Sequence, residues 1–210
     1  MQYKNLIPLF LLSISLAFFS TPVFSQNKNR IGFFIGADKS STANVKPAFG
    51  ISFERMVNKH NSAEIGIYYR TAIDDNLVIR IPAGANSSTS EQFFILEKFI
   101  SIPLMYNYKS NTVNISIGAS ADIYAGWEEK KHVSNPPAAY AAPLQSYKFD
   151  NKVLWGAIAK ISKTIKLSDR LVIEPYVYIN PVFTSYSLYS GSFSETRQYY
   201  GAALMGKFIF

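Results

Sequence analysis

Gln198-Tyr-Tyr-Gly-Ala-Ala-Leu-Met-Gly-Lys-Phe-Ile-Phe210 alternates larger apolar side chains with small or polar ones and stops on an aromatic residue. A period of two is that of a strand, whose successive side chains point to opposite faces. An apolar strand left at the edge of a sheet exposes a row of unpaired N–H and C=O groups. The edge vanishes when the sheet closes on itself, and a closed barrel is one of two structures able to cross a bilayer. The stretch therefore predicts the closing strand of a membrane barrel.

The other end of the sequence points to export. Lys4 supplies a positive start, Leu6 to Phe19 an apolar segment, and Val23-Phe24-Ser25 tolerable residues before a cut at about Gln26. The apolar run is shorter than the ~20 residues a spanning helix needs, and Ser20 and Pro22 follow it at once. Residues 1–25 are expected to be a signal peptide and residues 26–210 one domain. No later run is long and apolar enough for a spanning helix, so insertion must use strands. The chain has no cysteine, which excludes disulfides and a lipoprotein anchor, and its two histidines leave little for a transition-metal site. No cofactor and no nucleic-acid partner are expected.

Eight alternating segments follow one another, at about 30–38, 46–57, 62–74, 92–109, 112–128, 150–166, 170–186 and 196–210. Asn58-Lys59-His60-Asn61, Lys109-Ser110-Asn111 and Leu167-Ser168-Asp169-Arg170 are tight turns built of turn-forming residues. Longer polar connections lie between them, at Asp38–Val45, Asp75–Glu91, Glu129–Phe149 and Leu188–Glu195. Short turns at one end and long loops at the other match outer-membrane barrels, with the short turns in the periplasm. The fold class predicted is all-β: an eight-stranded antiparallel up-and-down transmembrane β-barrel.

Period two does not say which face is inside. In a soluble lipocalin-like barrel the apolar face would line a cavity; in a membrane barrel it faces lipid. The segment from Val113 to Trp127 sets Ile115, Ile117, Ala119 and Ile123 against Asn114, Ser116, Gly118, Ser120 and Asp122. The polar faces are rich in small residues, which suits a crowded eight-strand interior. Their charges come in both signs, Glu54, Glu64, Asp122 and Glu174 against Arg70, Lys160, Arg197 and Lys207, a set able to neutralise itself. The apolar faces end in aromatics at two levels. Trp127, Trp155, Phe183 and Tyr200 fall at the loop end, and Phe53, Tyr106, Tyr108, Phe208 and Phe210 at the turn end. Two such belts match two membrane–water interfaces, so the apolar face is predicted to point outward. Pro103, Pro175 and Pro181 fall within strands and call for local irregularity, since proline lacks the ladder donor. Lys98 would face lipid; either it snorkels toward the interface or a bulge near Glu97 shifts the register.

Phe99–Tyr108, Arg30–Gly36 and Tyr200–Phe210 resemble strands of the PorT-like outer-membrane β-barrel family of Bacteroidota. Phe99-Ile-Ser-Ile-Pro-Leu-Met-Tyr-Asn-Tyr108 looks like the family's aromatic–Leu–Glu–Ile–Pro–Leu strand, with Ser101 where the family often has glutamate. Arg30-Ile-Gly-Phe-Phe-Ile-Gly36 looks like its first strand and Tyr200–Phe210 like its closing strand. The resemblance implies a non-enzymatic barrel, and its name-giving member takes part in type IX protein secretion.

The interior charges either line a narrow pore or satisfy one another as a plug. Crowding by Tyr68, Tyr124, Tyr176 and Tyr178 in an eight-strand barrel favours the plug. No enzyme is predicted: His60 falls in a turn, and His132 follows the charge run Glu128-Glu129-Lys130-Lys131, with no serine placed to make a triad. The basic residues assigned to the loop side, Lys39, Lys46, Arg80, Lys130, Lys131 and Arg197, form either a solvated rim or a site for lipopolysaccharide phosphates. The apolar loop core around Pro136, Pro137, Tyr140 and Pro143 is the candidate contact for a protein partner. The expected address is the outer membrane of a Gram-negative bacterium, in contact with its lipid. The remaining alternatives are a secretion accessory, a narrow pore and a secreted soluble barrel carrying an apolar ligand.

Overall fold

The computed structural model describes residues 29–41, 45–82, 88–135, 152–184, 186–187 and 194–210. The expected signal peptide and the loop core with Pro136, Pro137, Tyr140 and Pro143 lie outside them. The strands are β1 (Asn29–Ser40), β2 (Lys46–Met56), β3 (Asn61–Pro82), β4 (Ser88–Lys109), β5 (Asn114–Asn135) and β6 (Val153–Ser162). There follow β7 (Ile165–Lys166), β8 (Leu171–Pro181), β9 (Tyr186–Ser187), β10 (Ser194–Glu195) and β11 (Gln198–Ile209).

Each strand of the wall pairs antiparallel with the next, and β11 pairs with both β8 and β1, so the sheet closes. The short β7 continues the line of β6, and β9 and β10 form a separate hairpin, which leaves eight strands in the wall. The ends of the wall are tied directly, Asn29 N–H donating to Phe210 O at 3.1 Å and Phe210 N–H to Asn29 O at 3.0 Å. The edge that the carboxy-terminal stretch would otherwise expose is thereby removed.

The three tight turns close by one device. Asn58 Oδ1 accepts from the backbone N–H of His60 and of Asn61, both at 2.8 Å. Ser110 Oγ accepts from Thr112 and Val113, and Ser168 Oγ from Arg170 and Leu171. A short polar side chain satisfying the next two or three amides is why Asn and Ser stand at these positions.

The prolines interrupt the ladders. The pairing of β3 with β4 skips the positions facing Ile102 and Pro103. The break between β6 and β7, at Lys163 and Thr164, lies opposite Glu174 and Pro175. Beside Pro181 the seam between β6 and β8 is reduced to a single bridge, Gly156 to Val182.

The loop side differs from the expectation. The segment 75–91, expected as loop, is mostly strand, because β3 continues to Pro82 and β4 begins at Ser88. The third long loop was expected from Glu129, yet β5 continues to Asn135. β3, β4 and β5 are 22 residues each, against the ~9–11 that a bilayer requires. They stand beyond the membrane as a joined three-stranded extension.

Apolar side chains cover the outside of the wall: Phe33, Ile35, Ile51, Ile67, Ile117 and Val177 are among the exposed ones. A water-soluble surface does not carry so continuous an apolar area, whereas a bilayer requires it. The polar faces are turned inward.

Candidate functional site

The interior is built from the inward alternate of every strand and reads as four stacked layers. Nearest the turns lies an ionic layer. Lys207 on β11 places Nζ 2.9 Å from Glu54 Oε2, 3.1 Å from Glu64 Oε2 and 2.5 Å from Glu174 Oε2. Lys160 on β6 bonds Glu64 at 3.0 Å, and Lys109 on β4 pairs with Glu54. Ser62 donates to Glu54 and Ser162 to Glu174, each at 2.5 Å, while Asn107 donates to Glu64 and Asn114 to Glu174. Three carboxylates thus face three ammonium groups, with Arg30 at the rim 3.9 Å from Glu54. Buried charges persist only when paired and hydrogen-bonded, and each of the three carboxylates is both.

Above it lies an apolar and aromatic layer of Phe34, Ala48, Tyr68, Met105, Ile158, Tyr176, Tyr178 and Met205. The ring of Phe34 meets Tyr68 edge-on at 4.3 Å between centroids, an arrangement that aromatic quadrupoles favour. Lys160 Nζ lies 5.2 Å from the Tyr176 ring and so links the first two layers. Wall glycines make the room. A Cβ on Gly118 would lie 2.0 Å from the carbonyl oxygen of Leu104, so any side chain there would press on the neighbouring strand.

The third layer centres on Arg70 of β3. Its Nη1 donates to Asn180 Oδ1 at 2.7 Å and lies 3.6 Å from Asp122 Oδ2, and its Nε lies 3.3 Å from Asp38 Oδ2. The guanidinium carbon stands 4.5 Å from the centre of the Tyr199 ring, and Tyr178 donates its hydroxyl to Asp38. Asn180 passes its amide on to Ser120 Oγ at 2.7 Å. Toward the mouth, Arg197 pairs with Glu97, and the fourth layer of Ala72, Ile95, Phe99, Leu154, Val182 and Tyr199 covers them, flanked by Tyr124 and Trp127.

All eight sequence-predicted interior charges, Glu54, Glu64, Arg70, Asp122, Lys160, Glu174, Arg197 and Lys207, lie at 2% exposure or less. The structure divides them: Glu64 meets Lys160 and Lys207, whereas Arg70 belongs to the layer of Asp122 and Asp38. Three partners were missed by sequence reasoning. Asp38 and Lys109 fell in segments assigned to a loop and a turn, and Glu97 was not counted as an inner charge. All three are in phase with the inward alternate of their strands, which is the signal that identifies them. Phe34, Met105, Ile158 and Met205 were also missed, since apolar residues on the inner alternate look like errors of period.

Phe53, Tyr106, Tyr108, Phe208 and Phe210 are exposed at the turn end, as are Trp155, Phe183 and Tyr200 toward the loops. Trp127 is a correction. Between the pairs Phe99–Tyr124 and Lys98–Gly126 the register shifts, leaving Ala125 unpaired, and Gly126 takes a φ of 139°. A bulge turns the residues beyond it by one position, and glycine tolerates the positive φ. Trp127 therefore stands opposite the buried Glu97 and packs on the inner cluster instead of facing lipid.

The bulge leaves β4 in phase, so Lys98 stays on the outer side and pairs with Glu128 at 3.2 Å. Glu128 also accepts from Lys130 at 2.6 Å. Hydrogen bonds from Lys130 and then Lys98 hold the Glu128 carboxyl below its ordinary range. Arg197, expected in the basic rim, is buried against Glu97, which removes it from any surface site. Lys39 and Lys130 are exposed and Lys46 is half-buried; Arg80 and Lys131 lie outside the side chains described. His60 donates its Nδ1–H to Lys109 O at 3.0 Å beside Tyr108, a turn-bracing position. No group of acidic and histidine side chains among the described residues is arranged to hold a metal ion.

No protein-family profile matches this sequence, and no curated protein matches it. Solved structures do. The outer membrane protein OprG from Pseudomonas aeruginosa superposes with a TM-score of 0.53 at 12% identity, over 88% of this chain and 95% of that one. A major outer membrane protein from Thermus thermophilus gives 0.49 at 10% identity, over 87% and 99%. Ail, the attachment invasion locus protein of Yersinia pestis, gives 0.40 at 9% identity, over 88% and 97%. At these identities only the fold carries over, and OprG alone of the three is similar enough to argue from. This chain has the fold of an eight-stranded outer-membrane β-barrel.

Proposed function

We propose that this protein is a non-enzymatic barrel of the outer membrane of a Gram-negative bacterium, exported by a signal peptide at residues 1–25. Its interior is a self-neutralised plug and its contacts are made on the loop side. The observation that carries this reading is the stack of buried layers among the described residues, from Lys207 with its three carboxylates to the apolar cluster around Leu154. An eight-stranded barrel is just wide enough for its own side chains to fill. A conducting path would need an open, hydrated lumen along the same axis.

The loop side supplies what the interior does not. The extension of β3, β4 and β5 offers an area for a protein partner, together with the loop containing Pro136, Pro137, Tyr140 and Pro143. Exposed Lys39 suits lipopolysaccharide phosphates, whereas Lys130 is already paired with Glu128. The PorT-like stretches at Arg30–Gly36, Phe99–Tyr108 and Tyr200–Phe210 favour a second reading, an accessory part in type IX secretion.

Planar-bilayer recording tests the plug. The purified barrel is expected to insert without discrete conductance steps; stable, ion-selective steps would establish the narrow pore instead. Deletion of residues 136–143 tests the contact. Loss of a co-purifying protein is expected, and an unchanged set of partners would remove this loop from the account.

A further inference from the structure

The outer wall is not uniformly clad in large side chains. Across β6, β8, β11 and β1 the outward positions Ile161, Val177, Ala202 and Ala37 form one cross-strand row. The neighbouring row toward the turns runs through Lys163, Pro175, Leu204 and Ile35. The two alanines, with Gly36 and Ala203 in the wall beside them, leave a shallow groove of about 820 Å³ between larger residues, and its lining is almost wholly apolar. Barrel strands tilt by roughly 35–45°, so such a row runs obliquely, from near the turns at Lys163 toward the middle of the bilayer at Ala37.

Lys163 lies in this lining and is exposed on the lipid-facing side, where β6 is broken opposite Pro175. Its backbone N–H bonds Pro175 O at 3.2 Å, which anchors the residue at that break. Among the described residues its ammonium group has no acidic partner. The nearby Lys166 is already paired with Asp169 at 2.7 Å. The same end of the barrel also exposes Lys59 and Arg170, and Asp169 carries the only exposed acidic side chain among the described residues there. A cation is thus set at interfacial depth with an apolar channel leading from it into the membrane.

We propose that this groove is a binding site for an anionic phospholipid of the turn-side leaflet, with the lipid phosphate on Lys163 and an acyl chain lying over Pro175, Ala202 and Ala37. Lysine is a good phosphate partner, and its long stem reaches the interface while its methylenes stay on apolar surface. The apolar floor distinguishes this site from a rim that collects counter-ions: a free phosphate would find Lys163 but gain nothing from the alanines. The inference is independent of whether the lumen conducts and of any loop-side partner.

Native mass spectrometry of the detergent-purified, full barrel tests it, with palmitoyl-oleoyl phosphatidylglycerol and the matching phosphatidylcholine added at equal concentration. Wild-type protein is expected to retain the anionic lipid about fivefold better than the zwitterionic one, the scale of one lysine at a lipid surface. Lys163→Gln is expected to bring the two lipids level. Ala202→Phe, which fills the groove, is expected to lower retention of both, and inorganic phosphate at the lipid concentration is not expected to compete. Both positions face outward, so heat-modifiable gel mobility should stay that of a folded barrel; Ala202→Leu replaces the phenylalanine variant if folding fails. Equal retention of the two lipids by wild type, or undiminished anionic-lipid retention in either variant, would overturn the proposal.

Discussion

Glu64 on β3 is held at 3.0 Å by Lys160 of β6 and at 3.1 Å by Lys207 of β11. Two strands separate β3 from β6 in the wall, and two others separate it from β11. The contacts therefore cross the lumen, and one carboxylate ties three parts of the cylinder together. Backbone ladders join only neighbours; this ionic layer is what braces the cylinder from within.

Removing a partner from that layer leaves charge buried without compensation. Lys207→Met is expected to destabilise the barrel by about 3–5 kcal/mol, the usual cost of breaking a buried pair from one side. Urea titration in detergent micelles, followed by the loss of folded-band mobility, measures it. The double variant Glu64→Gln with Lys207→Met should recover part of the loss, because fewer carboxylates then remain unpaired. A Lys207→Met barrel as stable as wild type would mean that the layer does not brace the fold.

The two tryptophans should report opposite surroundings. Trp155 is 45% exposed on the outer wall, whereas Trp127 packs against the inner cluster. In bilayers containing brominated lipid, the fluorescence of the Trp127→Phe variant, which keeps Trp155, is expected to be strongly quenched. That of Trp155→Phe, which keeps Trp127, is expected to change little. Equal quenching would place Trp127 in the lipid belt after all.

Close approach of β4 to β5 requires a missing side chain at Gly118. Gly118→Ala puts a Cβ where the Leu104 carbonyl leaves no room, and overpacking of this kind costs about 1–3 kcal/mol. The same urea titration should show it. Gly126→Ala, where nothing lies within contact of the added Cβ, should be destabilising through its positive φ alone.

The loop-side carboxyl of Glu128 should titrate below the ordinary glutamate range, since Lys130 and Lys98 bond its charged form. A depressed folded-state value means that the contribution to stability exists above the unfolded pKa and is lost as pH falls through the folded one. Carboxyl-resolved NMR titration is the check, and Lys130→Ala together with Lys98→Ala is expected to move the midpoint back up. The group is fully exposed, so little change in global stability should accompany it.

Period-two alternation made the wall legible from sequence. Val113 to Ile123, Leu171 to Val177 and the Gln198–Phe210 stretch keep strict phase and face the expected way. The misses have local physical causes. One added residue at Ala125–Gly126 reverses the face of Trp127, and a bulge of that kind leaves no mark in an alternation pattern beyond the glycine itself. Asp38 and Lys109 carry charge near the end of a strand, so polarity pointed to loop or turn although their phase pointed inward. Strand ends on the loop side were missed at Pro82, Ser88 and Asn135, because once a strand leaves the bilayer lipid no longer selects its outer face. Pairings across the lumen, such as Glu64 with Lys160, depend on register and shear around the whole cylinder, which no single strand encodes.

Site-directed spin labelling in bilayers tests most directly whether the wall is apolar outside and packed inside. Labels at Ile117 and Val177, exposed at 59% and 56%, are predicted to meet oxygen dissolved in hydrocarbon and to be shielded from a nickel chelate in buffer. Labels at Ser116 and Ser120, exposed at 1% and 2%, are predicted to be shielded from both. Free access of the chelate to Ser116 and Ser120 would show a water-filled lumen, and absence of oxygen contact at Ile117 and Val177 would contradict the membrane-facing wall.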